Sequence, residues 1–300
     1  MPSQTIQWFP GHMAKTRRLM QECISQVDLV IELLDARIPE SSRNPEILKI
    51  VGSKPLLTVM SKASLADPDK SALWRRYYRE QGGACLLADC VTGEGFSAIG
   101  EEVRTLLSEK LARYHEKGMD GRRIRAMVVG IPNVGKSSFI NRMAGKKKAR
   151  VENRPGVTLT KQWVSTSVGI DLLDMPGVLW PKFESRAVAE NLAFTGAIKD
   201  DILQLEEIAM LLSARLRDEY PALLCSRYKL SQEEIAPLDA YDLLLYIGKK
   251  RGLMMAGGVV NERRAADMVI DEFRDGKIGR ITLEAPPRKN ESSETEMKGE

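Results

Sequence analysis

Short apolar runs alternate with amphipathic stretches through the first 180 residues, and the alternation predicts strands and helices in turn. Residues 14–26 set Leu19, Met20, Cys23 and Ile24 at helical spacing, and residues 27–34 (VDLVIELL) form an apolar run of strand length. Residues 35–45 are rich in Pro, Ser and Asn and read as a loop. Further strands are expected over 55–60 (PLLTVM), 84–88 and 124–129 (IRAMVV), separated by a helix over 68–81 and a long helix ending near Glu116. A helical pattern opens again at Ser138, and two strands follow around 162–168 and 170–173. After Pro181 the period changes, and residues 185–275 read almost entirely as helices, most clearly over 206–218, 240–250 and 265–274. Strands alternating with helices predict a mostly parallel α/β sheet flanked by helices, with ligand loops at the strand C-ends. The helical run predicts a small all-α domain after it. The expected divisions are 1–183, 184–285 and a polar, disordered tail over 286–300.

Composition narrows the class. Of 300 residues, 43% are hydrophobic and 29% charged, the balance of a soluble globular protein. No apolar run approaches the roughly 20 residues that cross a bilayer, so no membrane span is expected. The N-terminal stretch lacks the apolar core of a signal peptide. The four cysteines (Cys23, Cys85, Cys90 and Cys225) have neither metal spacing nor a paired framework, which points to reduced thiols and a cytoplasmic location. A net charge of +4 permits an RNA partner without demanding one.

The candidate chemistry lies between the fourth strand and the helix after it. Residues 130–138, Gly-Ile-Pro-Asn-Val-Gly-Lys-Ser-Ser, match G-x-x-x-x-G-K-[ST], a phosphate-cradling loop. Strand, glycine loop and helix bring backbone N–H groups and the positive helix end onto a phosphate. Asn133, Val134, Gly135, Lys136, Ser137 and Ser138 are the candidate nucleotide contacts, with Lys136 on the β/γ-phosphates and Ser137 placed for Mg²⁺. Downstream, Asp174-Met175-Pro176-Gly177 fits D-x-x-G: Asp174 for Mg²⁺ through water, and the Gly177 N–H for the γ-phosphate. Thr158 is a candidate switch threonine for Mg²⁺. The base-reading element N-K-x-D should come later in the chain, yet its nearest match, Ser61-Lys62-Ala63-Ser64, precedes the glycine loop. Asp89-Cys90 ends the next strand, where the loop backing the base belongs. This motif order is that of a circular permutation.

Together these motifs resemble the circularly permuted GTPases of ribosome assembly, the bacterial ribosome biogenesis GTPase A family. The resemblance extends through residues 8–15 (WFPGHMAK), 35–45, 154–158, 173–182, 195–200 (TGAIKD), 250–252 and Gly257-Gly258. It implies a circularly permuted P-loop GTPase domain followed by a small all-α domain. It also implies hydrolysis of GTP to GDP, coupled to late maturation of the large (50S) ribosomal subunit precursor. The helical domain and the basic N-terminus are then expected to touch rRNA, with Lys249-Lys250-Arg251 and Arg263-Arg264 as contacts, and the protein to be a monomer off the ribosome. Lys146-Lys147-Lys148 reads as solvated surface.

Departures from the family pattern matter. Both Asn and Asp of the base reader are serine here, Ser61 and Ser64. Loss of the Asp removes charge-assisted contacts to guanine worth roughly 1.5–3 kcal/mol each, so discrimination between GTP and ATP is expected to weaken. Cys90 replaces a serine. Val178 stands where a water-orienting glutamine would be and cannot polarise water, so intrinsic hydrolysis is expected to be slow. His12 is the candidate substitute, with structural packing or an rRNA contact as the alternative. Asn133 resembles the residue by which some GTPases hold K⁺ beside the phosphates. Two other readings stay open: an rRNA-docking module with little nucleotide switching, and an ATPase or kinase, for which no substrate element is evident.

Overall fold

The computed structural model describes residues 10–145, 162–183 and 185–287, with side chains from Ala14 onward. Six strands make one sheet: β1 (Leu29–Asp35), β2 (Leu56–Ser61), β3 (Ala84–Leu87), β4 (Ile124–Gly130), β5 (Gln162–Ser165) and β6 (Ile170–Asp174). Their order is β3-β2-β1-β4-β6-β5, and every pairing is parallel except that of β5 with β6. β1 and β4 are central, with helices over both faces, which is why their sequences run apolar instead of alternating. Every residue of β1 is buried. Its one acidic interior position, Glu32, pairs with Arg43 at 3.1 Å, and Arg43 in turn lies over the Tyr78 ring.

The helices follow from local signals as much as from burial. Asp67 caps α3 (Pro68–Glu80) by accepting from the N–H groups of Asp69 and Lys70, with a proline at the first helical position. Asn44 caps α2 (Pro45–Val51) by accepting from the Glu46 N–H. The helix expected from residue 14 begins earlier, as α1 (Pro10–Cys23), and ends in a 3-10 turn over Ile24–Gln26. The long helix expected up to Glu116 is two, α4 (Phe96–Leu106) and α5 (Ser108–Glu116). α6 (Lys136–Ala144) starts at the lysine of the glycine loop, two residues before the expected opening. The remainder is helical as expected: α7 (Arg186–Phe194), α8 (Leu205–Glu219), α9 (Pro221–Tyr228), α10 (Gln232–Ile235), α11 (Ala240–Lys250) and α12 (Glu262–Arg274).

The C-terminal helices do not stand apart from the sheet. One apolar cluster runs from Leu29, Ile31 and Leu33 of β1 and Val128 of β4, through Phe139 on α6, to Leu212, Ile247 and Val269 of the helical part. A second cluster on the opposite face joins Met20 and Cys23 of α1 to Val30, Met127, Val129 and Leu173. Alternate residues of β1 therefore enter different clusters, as the period of a strand requires.

Residues 277–285 belong to the part expected to be all-α, but the chain from 277 to 287 has no regular structure. It runs back along the loops that follow β1 and β2. The N–H groups of Ile281 and Leu283 donate to the carbonyls of Leu65 (2.9 Å) and Arg37 (2.8 Å), and the Arg280 guanidinium donates to those of Ala63 and Ala66. The Glu284 carboxylate accepts from the Glu40 N–H at 2.7 Å and from Asn191 Nδ2 of α7 at 3.0 Å. This return is stabilised by hydrogen bonds and by the burial of Ile278, Ile281 and Leu283, not by a helical period, which is why the pattern did not reveal it.

The sheet and the helices also meet at Asp35, the last residue of β1. Its buried carboxylate accepts from Arg37 Nε at 2.9 Å and Nη2 at 2.7 Å, and from Lys62 Nζ at 2.9 Å. Arg37 Nη1 donates to the carbonyl of Arg274 at the end of α12, and the guanidinium lies over Phe273. Burial alone pushes the Asp35 carboxyl up, but Arg37 and Lys62 beside it hold it far below the usual carboxylate range. Replacing Arg37 with Met is expected to leave Asp35 short of its main partner and to cost about 3 kcal/mol of stability, measurable as a lower midpoint in urea denaturation.

Candidate functional site

β1, β2, β4 and β6 run parallel, so their C-terminal ends lie along one edge of the sheet, where sheets of this kind bind ligands. The glycine loop between β4 and α6 forms the floor there. Asn133 (φ 57°) and Gly135 (φ 101°) take left-handed conformations that bend the loop back on itself before α6 begins. Lys136 is buried, and its Nζ donates to the carbonyls of Gly130 (3.1 Å) and Ile131 (2.8 Å). Ser137 and Ser138 follow in the first turn, half-buried. The loop thus has its backbone and helix end available for an anion, with a cation at its centre.

Burial pushes the Lys136 ammonium down to about 8, against the opposing pull of the Asp174 carboxylate. Asp174 ends β6. Burial raises its carboxyl, with Lys136 drawing it back down. Asp174 Oδ1 is buried and has no hydrogen-bond partner among the described residues. An orphaned carboxylate oxygen near a phosphate loop suits Mg²⁺, which takes one or two protein oxygens and fills its remaining positions with water and phosphate. Asp174 therefore fits the ion, and Ser137, half-buried in the first turn of α6, is the residue that would join it. Thr158, the third expected Mg²⁺ residue, lies outside the described residues, as do Lys146-Lys147-Lys148. Gly177 passes directly over the loop: a Cβ there would come within 2.6 Å of Lys136 Nζ and 2.9 Å of the Pro132 backbone. No side chain fits that approach, which leaves the Gly177 backbone against the glycine loop.

The expected base end is tied to this floor. Ser61, at the end of β2, is buried, and its hydroxyl lies 2.8 Å from the carbonyl of Leu34 and 2.7 Å from that of Val134 in the glycine loop. One hydroxyl carries one proton, so it can donate to only one of these carbonyls at a time. Lys62 (φ 57°) turns the chain into a 3-10 turn over Ala63–Leu65 and sends its Nζ to Asp35. Ala63 is buried, and its N–H donates to the carbonyl of Ala88 at 3.3 Å. Ser64 is half-buried, with its hydroxyl 2.5 Å from Asp89 Oδ2. Asp89 is itself buried and also accepts from the N–H groups of Ser64, Val91 and Thr92. Cys90 is half-buried, and burial pushes its thiol up to about 11, so it is not a reactive thiolate.

The structure thus brings together Ser61, Lys62, Ala63, Ser64, Asp89, Cys90, Asn133, Val134, Gly135, Lys136, Ser137, Ser138, Asp174 and Gly177 around the strand ends. His12 falls in the first turn of α1, and its side chain lies outside those described. Three contacts were not anticipated. Asn133 Nδ2 donates to the carbonyl of Gly196, after α7, at 2.7 Å, so the helical part touches the glycine loop directly. Asn44 Nδ2 donates to the carbonyl of Val178 and fixes the segment after Gly177. Asp89 is the hub of its loop, for which the sequence did hold a signal: an Asp followed two and three residues on by free N–H groups is an Asx turn.

Comparison with known proteins agrees with this geometry. A family model described as 50S ribosome-binding GTPase matches residues 125–234, a span that opens on β4. The chain is similar to the ribosome biogenesis GTPase A of Priestia megaterium, with 47% identity covering 94% of this chain and 97% of that one. It is 44% identical to the ribosome biogenesis GTPase A of Bacillus cereus, over 96% of this chain and 97% of that one. Among solved structures, GNP-bound YlqF from T. maritima has a TM-score of 0.61 at 23% identity, covering 91% of this chain and 98% of that chain; it shares the fold.

The burial of Lys136 has a measurable consequence. A lysine whose ammonium is pushed down to about 8 in the folded chain loses its proton there before the unfolded chain does, at 10.5. Between those values the unfolded state binds more protons, so the stability of the ligand-free protein should rise as pH climbs from 8 toward 10.5. Lys136→Met is expected to flatten that rise in a pH series of thermal melts and to abolish nucleotide binding.

Proposed function

The chain belongs to the ribosome biogenesis GTPase A family, and from that premise we propose that it binds and hydrolyses GTP as an assembly factor for late maturation of the large ribosomal subunit. The observation that carries the reading is the buried Lys136 within electrostatic reach of an Asp174 oxygen that has no hydrogen-bond partner among the described residues, with the turn after β2 bonded to the same glycine loop through Ser61 and Val134. Residues 1–183 act as the nucleotide domain and residues 184–285 contact rRNA; of the expected tail over 286–300, residues 288–300 lie outside the described residues. The protein works in the cytoplasm and is a monomer off the ribosome. No helix among the described residues is long and apolar enough to cross a membrane.

In this reading Lys136 and the N–H groups of residues 133–138 hold the β- and γ-phosphates, and the Gly177 N–H meets the γ-phosphate. Ser137, Thr158 and Asp174 hold Mg²⁺, which neutralises charge developing on the transferred phosphoryl group. Val178 offers no polar atom on its side chain to orient water, so turnover is slow until the ribosomal particle stimulates it. His12 is the candidate to orient the attacking water. Asn133 keeps its Oδ1 for K⁺, since its Nδ2 is committed to Gly196. Ser61 and Ser64 supply fewer and weaker acceptors than the Asn and Asp of the base reader, so guanine is held less tightly. A second reading, an rRNA-docking module with little nucleotide switching, draws on those same two serines.

GTP and ATP turnover, each measured with and without large subunits, separates the two. Stimulated GTP turnover is expected; the docking module instead gives subunit binding that is indifferent to nucleotide. His12→Ala should reduce the stimulated rate at unchanged nucleotide affinity, and an unchanged rate removes His12 from catalysis. Replacing K⁺ by Na⁺ should slow turnover if Asn133 holds the ion, and an equal rate argues against it.

A further inference from the structure

Phosphates seated on the glycine loop at the end of β4 leave the nucleoside to extend toward the ends of β2 and β3, where Lys62, Ser64 and Asp89 stand beside Ser61, whose buried hydroxyl is turned to the carbonyls of Leu34 and Val134. Lys62 Nζ is paired with Asp35 and is a donor only. Ser64, only half-buried, is therefore a neutral group there whose chemistry allows it either to donate to a base or to accept from it. A free serine hydroxyl does both, and would tell guanine, with its N1–H, from adenine, with its N1 lone pair, hardly at all.

Ser64 is not free. Its hydroxyl lies 2.5 Å from Asp89 Oδ2, which also accepts the Ser64 N–H at 3.1 Å. Asp89 Oδ1 accepts from the N–H groups of Val91 at 2.8 Å and Thr92 at 2.9 Å. With four donors converging on it, this carboxylate is an acceptor throughout and has no proton to give back. Burial alone raises the Asp89 carboxyl, but the Ser64 hydroxyl and the loop N–H groups bring it below its ordinary value, so it stays ionised at neutral pH. Gly95 keeps this loop in place: it has φ 79°, and a Cβ there would come within 1.9 Å of the Leu87 carbonyl. The Arg142 guanidinium, which reaches the carbonyls of Cys90 and Thr92, holds the same loop to α6.

We propose that the Ser64 hydroxyl, its proton held by Asp89, is the group that selects a purine bearing an N1–H. Ser64 then presents only lone pairs to the base. Guanine and hypoxanthine, which both carry N1–H, are accepted; adenine meets two facing lone pairs and is rejected. Ser64 is the base-contacting residue and Asp89 its positioning residue. The pair restores the direction of recognition that a single aspartate would give, though with a neutral acceptor and thus with less affinity. This inference rests on the proposed triphosphate site and goes beyond it by naming the edge of the base that is read.

Equilibrium competition among GTP, inosine triphosphate and ATP, with Mg²⁺ present, tests it. The wild-type protein should hold GTP and inosine triphosphate at least about tenfold more tightly than ATP, the worth of one net hydrogen bond. Ser64→Ala should weaken GTP and inosine triphosphate and, by removing the lone pair that faces adenine N1, tighten ATP, so that the preference collapses, and Ser64→Thr, which keeps the hydroxyl, should restore it. Asp89→Asn releases the serine proton and should tighten ATP while weakening GTP, an opposite movement that mere loosening of the loop does not produce. A GTP-to-ATP ratio unchanged in Ser64→Ala, or a wild-type protein that binds inosine triphosphate no better than ATP, overturns the inference and leaves the triphosphate site standing. A wild-type protein that binds none of the three overturns both.

Discussion

A carboxylate stays ionised inside a protein only when cations and donors surround it, and the position of Asp35 makes that requirement an organising constraint. It ends the central strand β1. Its partners come from its own loop (Arg37) and from the turn after β2 (Lys62), while Arg37 also reaches the end of α12. Satisfying one buried charge therefore fixes the base-reading turn, the loop after β1 and the docking of the helical part together. Residues 277–287 complete the arrangement by bonding to the backbone of the same loops. The helical part is thus held against the nucleotide-binding crevice by interactions that also shape the crevice.

The parallel sheet explains why a permuted motif order still assembles one site. Neighbouring strand ends face the same crevice whatever their place in the chain, because β1, β2, β4 and β6 all point the same way. Ser61 and Val134 are 73 residues apart and hydrogen-bonded. The cost of joining them is a loop-closure entropy that grows only slowly with separation, and it is offset by burial of the β1–β4 pairing between them.

The sheet was legible because buried parallel strands are nearly unbroken apolar runs, and the glycine loop because its φ angles and its lysine demand particular residue types. Asp174 and Gly177 were legible from their spacing. Less visible was anything that depends on one side chain meeting a distant backbone carbonyl. Asn133 to Gly196 and Arg280 to Ala63 and Ala66 leave no periodic trace, since a single donor has no repeat to detect. The break between α4 and α5 was missed for another reason: Leu107 to Ser108 carries neither glycine nor proline, so the helical pattern continues across the interruption.

The two serines of the base-reading turn are not equivalent losses. Ser61 faces inward, toward two carbonyls, and its shortfall is one of donors: an asparagine amide has two N–H groups where a hydroxyl has one proton. That shortfall bears on how firmly β1, β2 and the glycine loop are joined, and only through them on the ligand. Ser64 is only half-buried, and its shortfall is one of acceptor charge. The nearby Asp89 carboxylate meets it by taking the hydroxyl proton into a hydrogen bond, which strengthens the oxygen as an acceptor along the bonded chain. A substitution that looks like removal of an acid from the motif is, in three dimensions, displacement of the acid by one side chain to the next loop.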